Sequence, residues 1–136
     1  MDTHSITAVF NQGMSFTSHI NGHNVVTDSN SEGVGDGPSP KRLMLAALAG
    51  CTGIDVVSIL AKMKVVFSDF SIDINAGLSE GQPQIYKDVK VIYRIRIAAA
   101  DQLKMEKAVK LSEEKYCGVS AMFKAFTKVE HEIVYL

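Results

Sequence analysis

The stretch Leu43-Met44-Leu45-Ala46-Ala47-Leu48-Ala49-Gly50-Cys51-Thr52-Gly53-Ile54-Asp55-Val56-Val57-Ser58-Ile59-Leu60-Ala61 decides how the chain folds. Pro40-Lys41 opens it, with the proline near a first turn, where its missing N–H does no harm. The apolar run, Leu43–Met63, reads as one long helix. Its 19 residues from Leu43 to Ala61 hold a single charge, Asp55, and approach the length a bilayer requires. Gly50, Thr52, Gly53 and Ser58 dilute its hydrophobicity, and a carboxylate at membrane depth is costly. A soluble helix that is apolar on nearly every side must be covered on every side. One domain of 136 residues struggles to do that alone. The expectation is therefore no membrane, but a long buried central helix in an obligate homodimer.

On the N-terminal side the chain reads as a β-meander. His4, Ile6, Ala8 and Phe10 alternate with polar residues, and so do Met14, Phe16 and Ser18. Asn11-Gln12-Gly13 can turn the first pair, and Asn21-Gly22 is a preferred type I′ turn into His23–Thr27. Asp28–Pro40 is polar and rich in Gly and Ser, hence a loop. Beyond the helix, Phe70–Leu78 and Val89–Ile97 alternate as strands. The second of these sets Val89, Val91, Tyr93, Ile95 and Ile97 against Lys90, Arg94 and Arg96. Asp101 can N-cap a helix over Gln102–Tyr116 whose inner stripe is Met105, Ala108, Val109 and Ser112. A short helix over Val119–Phe126 and a strand over Lys128–Tyr135 complete a βββ-α-ββ-αα-β order. This is an α+β protein with mostly antiparallel sheets, and residues 1–136 read as a single domain.

Fourteen basic and fifteen acidic side chains leave a net charge of −1, which offers no electrostatic footprint for nucleic acid or an anionic membrane. The first residues, Met1-Asp2-Thr3-His4-Ser5, lack a basic and apolar leader, so a cytoplasmic location is expected, where thiols stay reduced. The two cysteines are too few for a disulfide scaffold and have no C-x-x-C spacing. Cys51 is mid-helix among small residues, where a free cysteine commonly serves as a small hydrophobe. Asp55, one turn on, works against a thiolate there unless it is paired. Cys117 sits at a helix–helix junction whose free N–H groups favour an anion. The residues alone leave two readings open, inert core thiols or a reactive pair.

The string Gly37-Pro38-Ser39-Pro40 followed by Leu43 to Val57, together with Ser112-Glu113-Glu114-Lys115-Tyr116-Cys117, resembles the OsmC/Ohr family. That family comprises the osmotically inducible protein C and the organic hydroperoxide resistance proteins. The element order fits along essentially the whole chain, and the likeness is to the compact OsmC-like branch. The resemblance implies an intertwined homodimer with two long central helices between sheets. It also implies that Cys51 and Cys117 approach each other near the dimer interface. In that reading Cys51 is the peroxidatic thiol that attacks an organic hydroperoxide, and Cys117 resolves the sulfenic acid as a disulfide. An external thiol then reduces the bridge, with no metal or organic cofactor. The peroxidases carry a Glu directly after the helix-opening proline, or in related chains one place later, and an Arg from the N-terminal strands. This chain has Lys41 and Arg42 at those Glu positions and no Arg before Arg42. Lys41 or Arg42 is then the candidate cation for thiolate stabilisation, although either precedes Cys51 by about 13–15 Å of helix. The missing pair also leaves a second reading, a non-catalytic relative that holds an apolar small molecule in the dimer groove.

Other constellations carry less. Gly33-Val34-Gly35-Asp36-Gly37 lacks the Gly-Lys-Ser/Thr of a phosphate loop and reads as a flexible connection. His19 and His23 flank a turn without a third metal ligand. Arg94 and Arg96 read as a solvated sheet face with cross-strand ion pairs, and Glu113-Glu114-Lys115 as helix surface.

Overall fold

The computed structural model describes residues 1–29 and 35–136. The chain is α+β, with the order βββ-α-ββ-αα-β that the hydrophobic periods predict. It clusters into two compact units, Met1–Leu45 and Ala46–Leu136, whose boundary falls inside the long helix.

In the first unit, β1 (Thr7–Gln12), β2 (Ser15–Ile20) and β3 (His23–Thr27) form an antiparallel meander in the order β1-β2-β3. Its first turn falls at Gly13-Met14, one step later than the sequence expectation, because Asn11 and Gln12 continue the strand and Gly13 takes φ +57°. The Asn11 amide then donates to the hydroxyls of Ser15 at 3.1 Å and Thr17 at 2.9 Å across that turn. Asn21 and Gly22 both have positive φ, 48° and 81°, as a type I′ turn demands. Gly37 lies so close to β3 that a Cβ there would run into the Val26 carbonyl. Gly33 and Val34 of the glycine-rich stretch lie outside the described residues.

The second unit holds most of α1 (Pro40–Lys62) and the sheet β4-β5-β6. The helix starts three residues earlier than its apolar pattern, at the proline itself. Beyond Lys62, Lys64 adopts φ +58° and the Val65 N–H donates to the Leu60 carbonyl at 3.0 Å, which closes the C-terminus. β4 (Phe67–Leu78) pairs antiparallel with β5 (Tyr86–Ile97), and β6 (Val129–Tyr135) adds parallel to β5. On β5, Val89, Val91, Tyr93 and Ile95 are buried. The opposite face carries the expected ion pairs, Arg94 to Asp73 and Arg96 to Asp69, each at 2.9 Å and well exposed. Such pairs contribute about 0–1 kcal/mol each.

Only one stripe of α1 is buried, Leu48, Thr52, Val56 and Leu60, at successive four-residue steps. The expectation of a helix covered on every side is thus not met within one chain. Its most apolar window has mean hydropathy 2.0, yet 22% of that window is buried.

The predicted helix over Gln102–Tyr116 is three pieces. A 3₁₀ turn, Ala99–Asp101, leads into α2 (Gln102–Leu111), which passes into a π-helical turn over Ser112–Tyr116. Asp101 does not cap α2 through its side chain; its carboxylate instead pairs with Lys104 at 3.4 Å. Met105, Ala108, Val109 and Ser112 are buried as predicted. The π turn then shifts the helical phase. In an uninterrupted α-helix Tyr116 would fall on that inner stripe; here it is 54% exposed and Cys117 is buried in its place. A short helix, α3 (Gly118–Lys124), follows directly.

Candidate functional site

The second unit brings together two cysteines 66 residues apart in sequence. Cys51 is half-buried on α1; Cys117 is buried, with extended backbone, between the π turn and α3. Their sulfurs and a carboxylate oxygen of Asp55 all lie within 4.8 Å of one another. Asp55 is one turn beyond Cys51, so the α1 pitch puts both on one face. The Ser112 hydroxyl donates to Asp55 Oδ2 at 2.9 Å and holds that carboxylate in place.

The Cys117 sulfur accepts a hydrogen bond from the Ser120 N–H at 3.2 Å. That contact is what the sequence expectation of an anion-favouring helix start amounts to, and other effects outweigh it. Burial, then a hydrogen bond to Cys51, push the Cys117 thiol up to about 12, with the charges of Cys51 and Asp55 adding to the rise. Cys117 is therefore held as a thiol. The Ser120 hydroxyl is 1% exposed and has no hydrogen-bond partner among the described residues.

A second polar chain runs alongside. The Tyr93 hydroxyl donates to Glu113 Oε1 at 3.2 Å, and His131 Nδ1 lies 2.8 Å from Glu113 Oε2. Lys124 Nζ donates to the Glu113 backbone carbonyl at 2.8 Å. Burial, followed by the neighbouring Glu113 charge, raises the Tyr93 phenol well above its ordinary range, while the Thr52 hydroxyl beside it acts the other way. The Glu113 side chain is 8% exposed, which corrects its reading as helix surface. The physical reason is the π turn, which starts one residue earlier and points Glu113 at β5 and β6.

Lys41 and Arg42 lie in the first turn of α1, where Arg42 Nη1 donates to Ser39 Oγ at 3.4 Å. His19 Nδ1 contacts Asn24 Oδ1 at 2.6 Å, and the potential metal-ligand cluster found among the described residues contains neither His19 nor His23. Sequence reasoning named both cysteines and treated Asp55 as an obstacle. It missed Ser112, Ser120 and Tyr93 as neighbours of the thiols, and Glu113 behind Tyr93. The available signal was Ser112 on the predicted inner stripe of α2, with Glu113 at that stripe's edge.

The fold and site define a small α+β protein in which a reduced cysteine on the long helix lies close to a second one at the junction before α3. The family described as OsmC-like protein matches residues 33–132, and the chain belongs to it. Protein YhfA of Escherichia coli K12 is 31% identical over 122 residues, covering 88% of this chain and 89% of that protein. The crystal structure of an OsmC-like protein from Mycoplasma pneumoniae superposes with TM-score 0.85 at 13% identity, over 99% of this chain and 98% of that one. An organic hydroperoxide resistance protein OsmC from Legionella pneumophila superposes with TM-score 0.68 at 17% identity, over 98% and 99%.

Proposed function

We propose that this chain is a thiol-dependent hydroperoxide reductase, acting as a homodimer with an external thiol as electron donor. The observation that carries the reading is the approach of Cys51 and Cys117 sulfurs to within 4.8 Å. The family supports it, since some of its members are named for hydroperoxide resistance. Exposure supports the division of roles. Half-buried Cys51 meets the peroxide, and buried Cys117 waits behind it as a thiol. The Cys51 thiolate attacks the terminal oxygen of R–O–O–H; the S–O bond forms, the O–O bond breaks, and the alkoxide leaves as R–OH after taking up a proton. Cys117 then displaces the sulfenic hydroxyl as water to give the disulfide, and two external thiols restore the dithiol. No metal or organic cofactor enters this cycle. An apolar groove lined by Gly50, Gly53, Ile54, Val57 and Phe70 suits an organic hydroperoxide better than a charged one. Lys41 and Arg42, supplied across a dimer, remain the proposed cations for the thiolate. A cytoplasmic setting, with neither nucleic acid nor membrane as partner, accords with the net charge of −1.

The second reading, a non-catalytic binder of an apolar molecule in a dimer groove, draws on the same groove and on the upward push on Cys117. Reduced protein treated with one equivalent of cumene hydroperoxide separates the two. The enzyme reading expects loss of two thiols per chain and a Cys51–Cys117 bridge on digestion. Cys51→Ser abolishes peroxide consumption, and Cys117→Ser permits one turnover without efficient recycling. Two thiols surviving excess peroxide would favour the binder, whereas full activity in Cys51→Ser would overturn the assignment of Cys51 as the nucleophile.

A further inference from the structure

We propose that Cys51, Asp55 and Cys117 form a site for a thiophilic divalent cation of the Zn²⁺ class. Three donors of the right chemistry converge: two sulfurs and one carboxylate oxygen, all within 4.8 Å of one another. Thiolate sulfur and carboxylate oxygen are common Zn²⁺ ligands, at about 2.3 Å and about 2.0–2.2 Å respectively. A tetrahedral ion at those distances separates its donors by roughly 3.5–3.8 Å. Closing the set from its present limit takes shifts on the order of 1 Å.

The scaffold suits the purpose. Cys51 and Asp55 are four residues apart on α1, the i,i+4 spacing by which one helix face presents two ligands to one ion. Cys117 comes from a different element, the extended junction beyond the π turn, so the three ligands do not depend on one flexible loop. Each of two ligands is oriented from behind. Ser112 Oγ donates to Asp55 Oδ2, the other oxygen having no hydrogen-bond partner among the described residues, while the Ser120 N–H donates to Cys117 Sγ. The buried Ser120, whose N–H bonds the Cys117 sulfur, also carries a hydroxyl that is unpaired among the described residues. Asp55 also lines a cavity of about 510 Å³ with Lys62, Lys107 and Tyr116.

Binding forms two sulfur–metal bonds, and both thiol protons pass to water; no electrons move. The same two sulfurs cannot hold a metal and a disulfide together, so occupancy shields the pair from oxidation. The site needs only the reduced thiols, and it stands or falls independently of peroxide turnover.

The test uses the full-length, reduced, chelator-treated protein. Zn²⁺ is titrated against a chromophoric chelator, and Cd²⁺ is added separately to read its sulfur-to-metal charge-transfer absorption. One ion per chain is expected, with both thiols protected from a thiol reagent. Cys51→Ser and Cys117→Ser should lose the charge-transfer intensity of one sulfur each. Asp55→Asn should weaken Zn²⁺ at least tenfold, and Ser112→Ala by about tenfold, with far-UV circular dichroism unchanged. Absence of saturable Zn²⁺ uptake overturns the proposal, even beside full peroxide turnover. So does uptake that Asp55→Asn and Cys117→Ser leave unaltered, which would place the ion elsewhere. Ser112→Ala keeps all three ligands and guards against a ligand variant that fails to fold.

Discussion

Cys117 holds its proton because its surroundings disfavour the anion: burial first, then the hydrogen bond to Cys51, together outweigh the Ser120 N–H. That imbalance is also a statement about stability. An unfolded cysteine loses its proton near pH 8.5, whereas folded Cys117 retains it to about 12. Above the unfolded value the unfolded chain binds fewer protons than the folded one, so stability falls with rising pH. The contribution is fully present below about pH 8.5 and is lost as pH climbs towards 12. Urea unfolding of the reduced protein should therefore show a midpoint that drops between pH 8 and pH 11 (roughly the window set by these two values) more steeply than in Cys117→Ser. Parallel curves for the two proteins would mean that the thiol is not held in this way. The neutral thiol also explains how a pair so close can coexist reduced: two thiolates within 4.8 Å, beside the Asp55 carboxylate, would repel.

Between elements, Glu113 ties three of them together, accepting from Tyr93 on β5 and His131 on β6 while its own residue sits in the π turn. Removing the carboxylate leaves a buried phenol without its acceptor, which costs about 1–3 kcal/mol. Glu113→Ala should lower unfolding stability by that amount. Tyr93→Phe, which removes the orphaned hydroxyl, should recover part of the loss in the double variant; strictly additive effects would disprove the coupling. The same turn marks where sequence reasoning stops. Strands β1 to β6 were legible because period-2 alternation on a pleated surface is local, as Val89, Val91, Tyr93 and Ile95 illustrate. The α2 stripe was legible for the same reason at period 3.6, as far as Ser112. A π turn adds a residue to that period with no compositional signal, so continuing the stripe past Ser112 fails and Glu113 reads as surface. Asp101 has the right identity for a cap, but the preceding 3₁₀ turn leaves it facing Lys104. Cys51 and Cys117 were nameable as residues, yet only tertiary packing brings two positions 66 apart to one place.

At the scale of the whole molecule, α1 poses a question that one chain leaves open. Leu48, Thr52, Val56 and Leu60 pack inward, while Ile54 is 72% exposed, and Val57 beside it is exposed as well. Burying a side chain of this size stabilises by roughly 1.5–3 kcal/mol, so a helix of mean hydropathy 2.0 left this bare gives a strong drive to pair. The proposed second copy makes a sharp forecast at Gly50. In an isolated chain a Cβ there meets nothing within 4 Å, and Gly→Ala in a helix interior should stabilise by about 1 kcal/mol. If two copies of α1 approach across their small residues, the added methyl instead falls in the contact and weakens it. Under the homodimer reading, wild-type protein sediments at twice the chain mass and its melting temperature rises with concentration. Gly50→Ala then lowers that temperature, and Ile54→Glu shifts the population towards monomer. A Gly50→Ala variant that melts higher, in a protein sedimenting at the mass of one chain, would show that this face has no second copy on it.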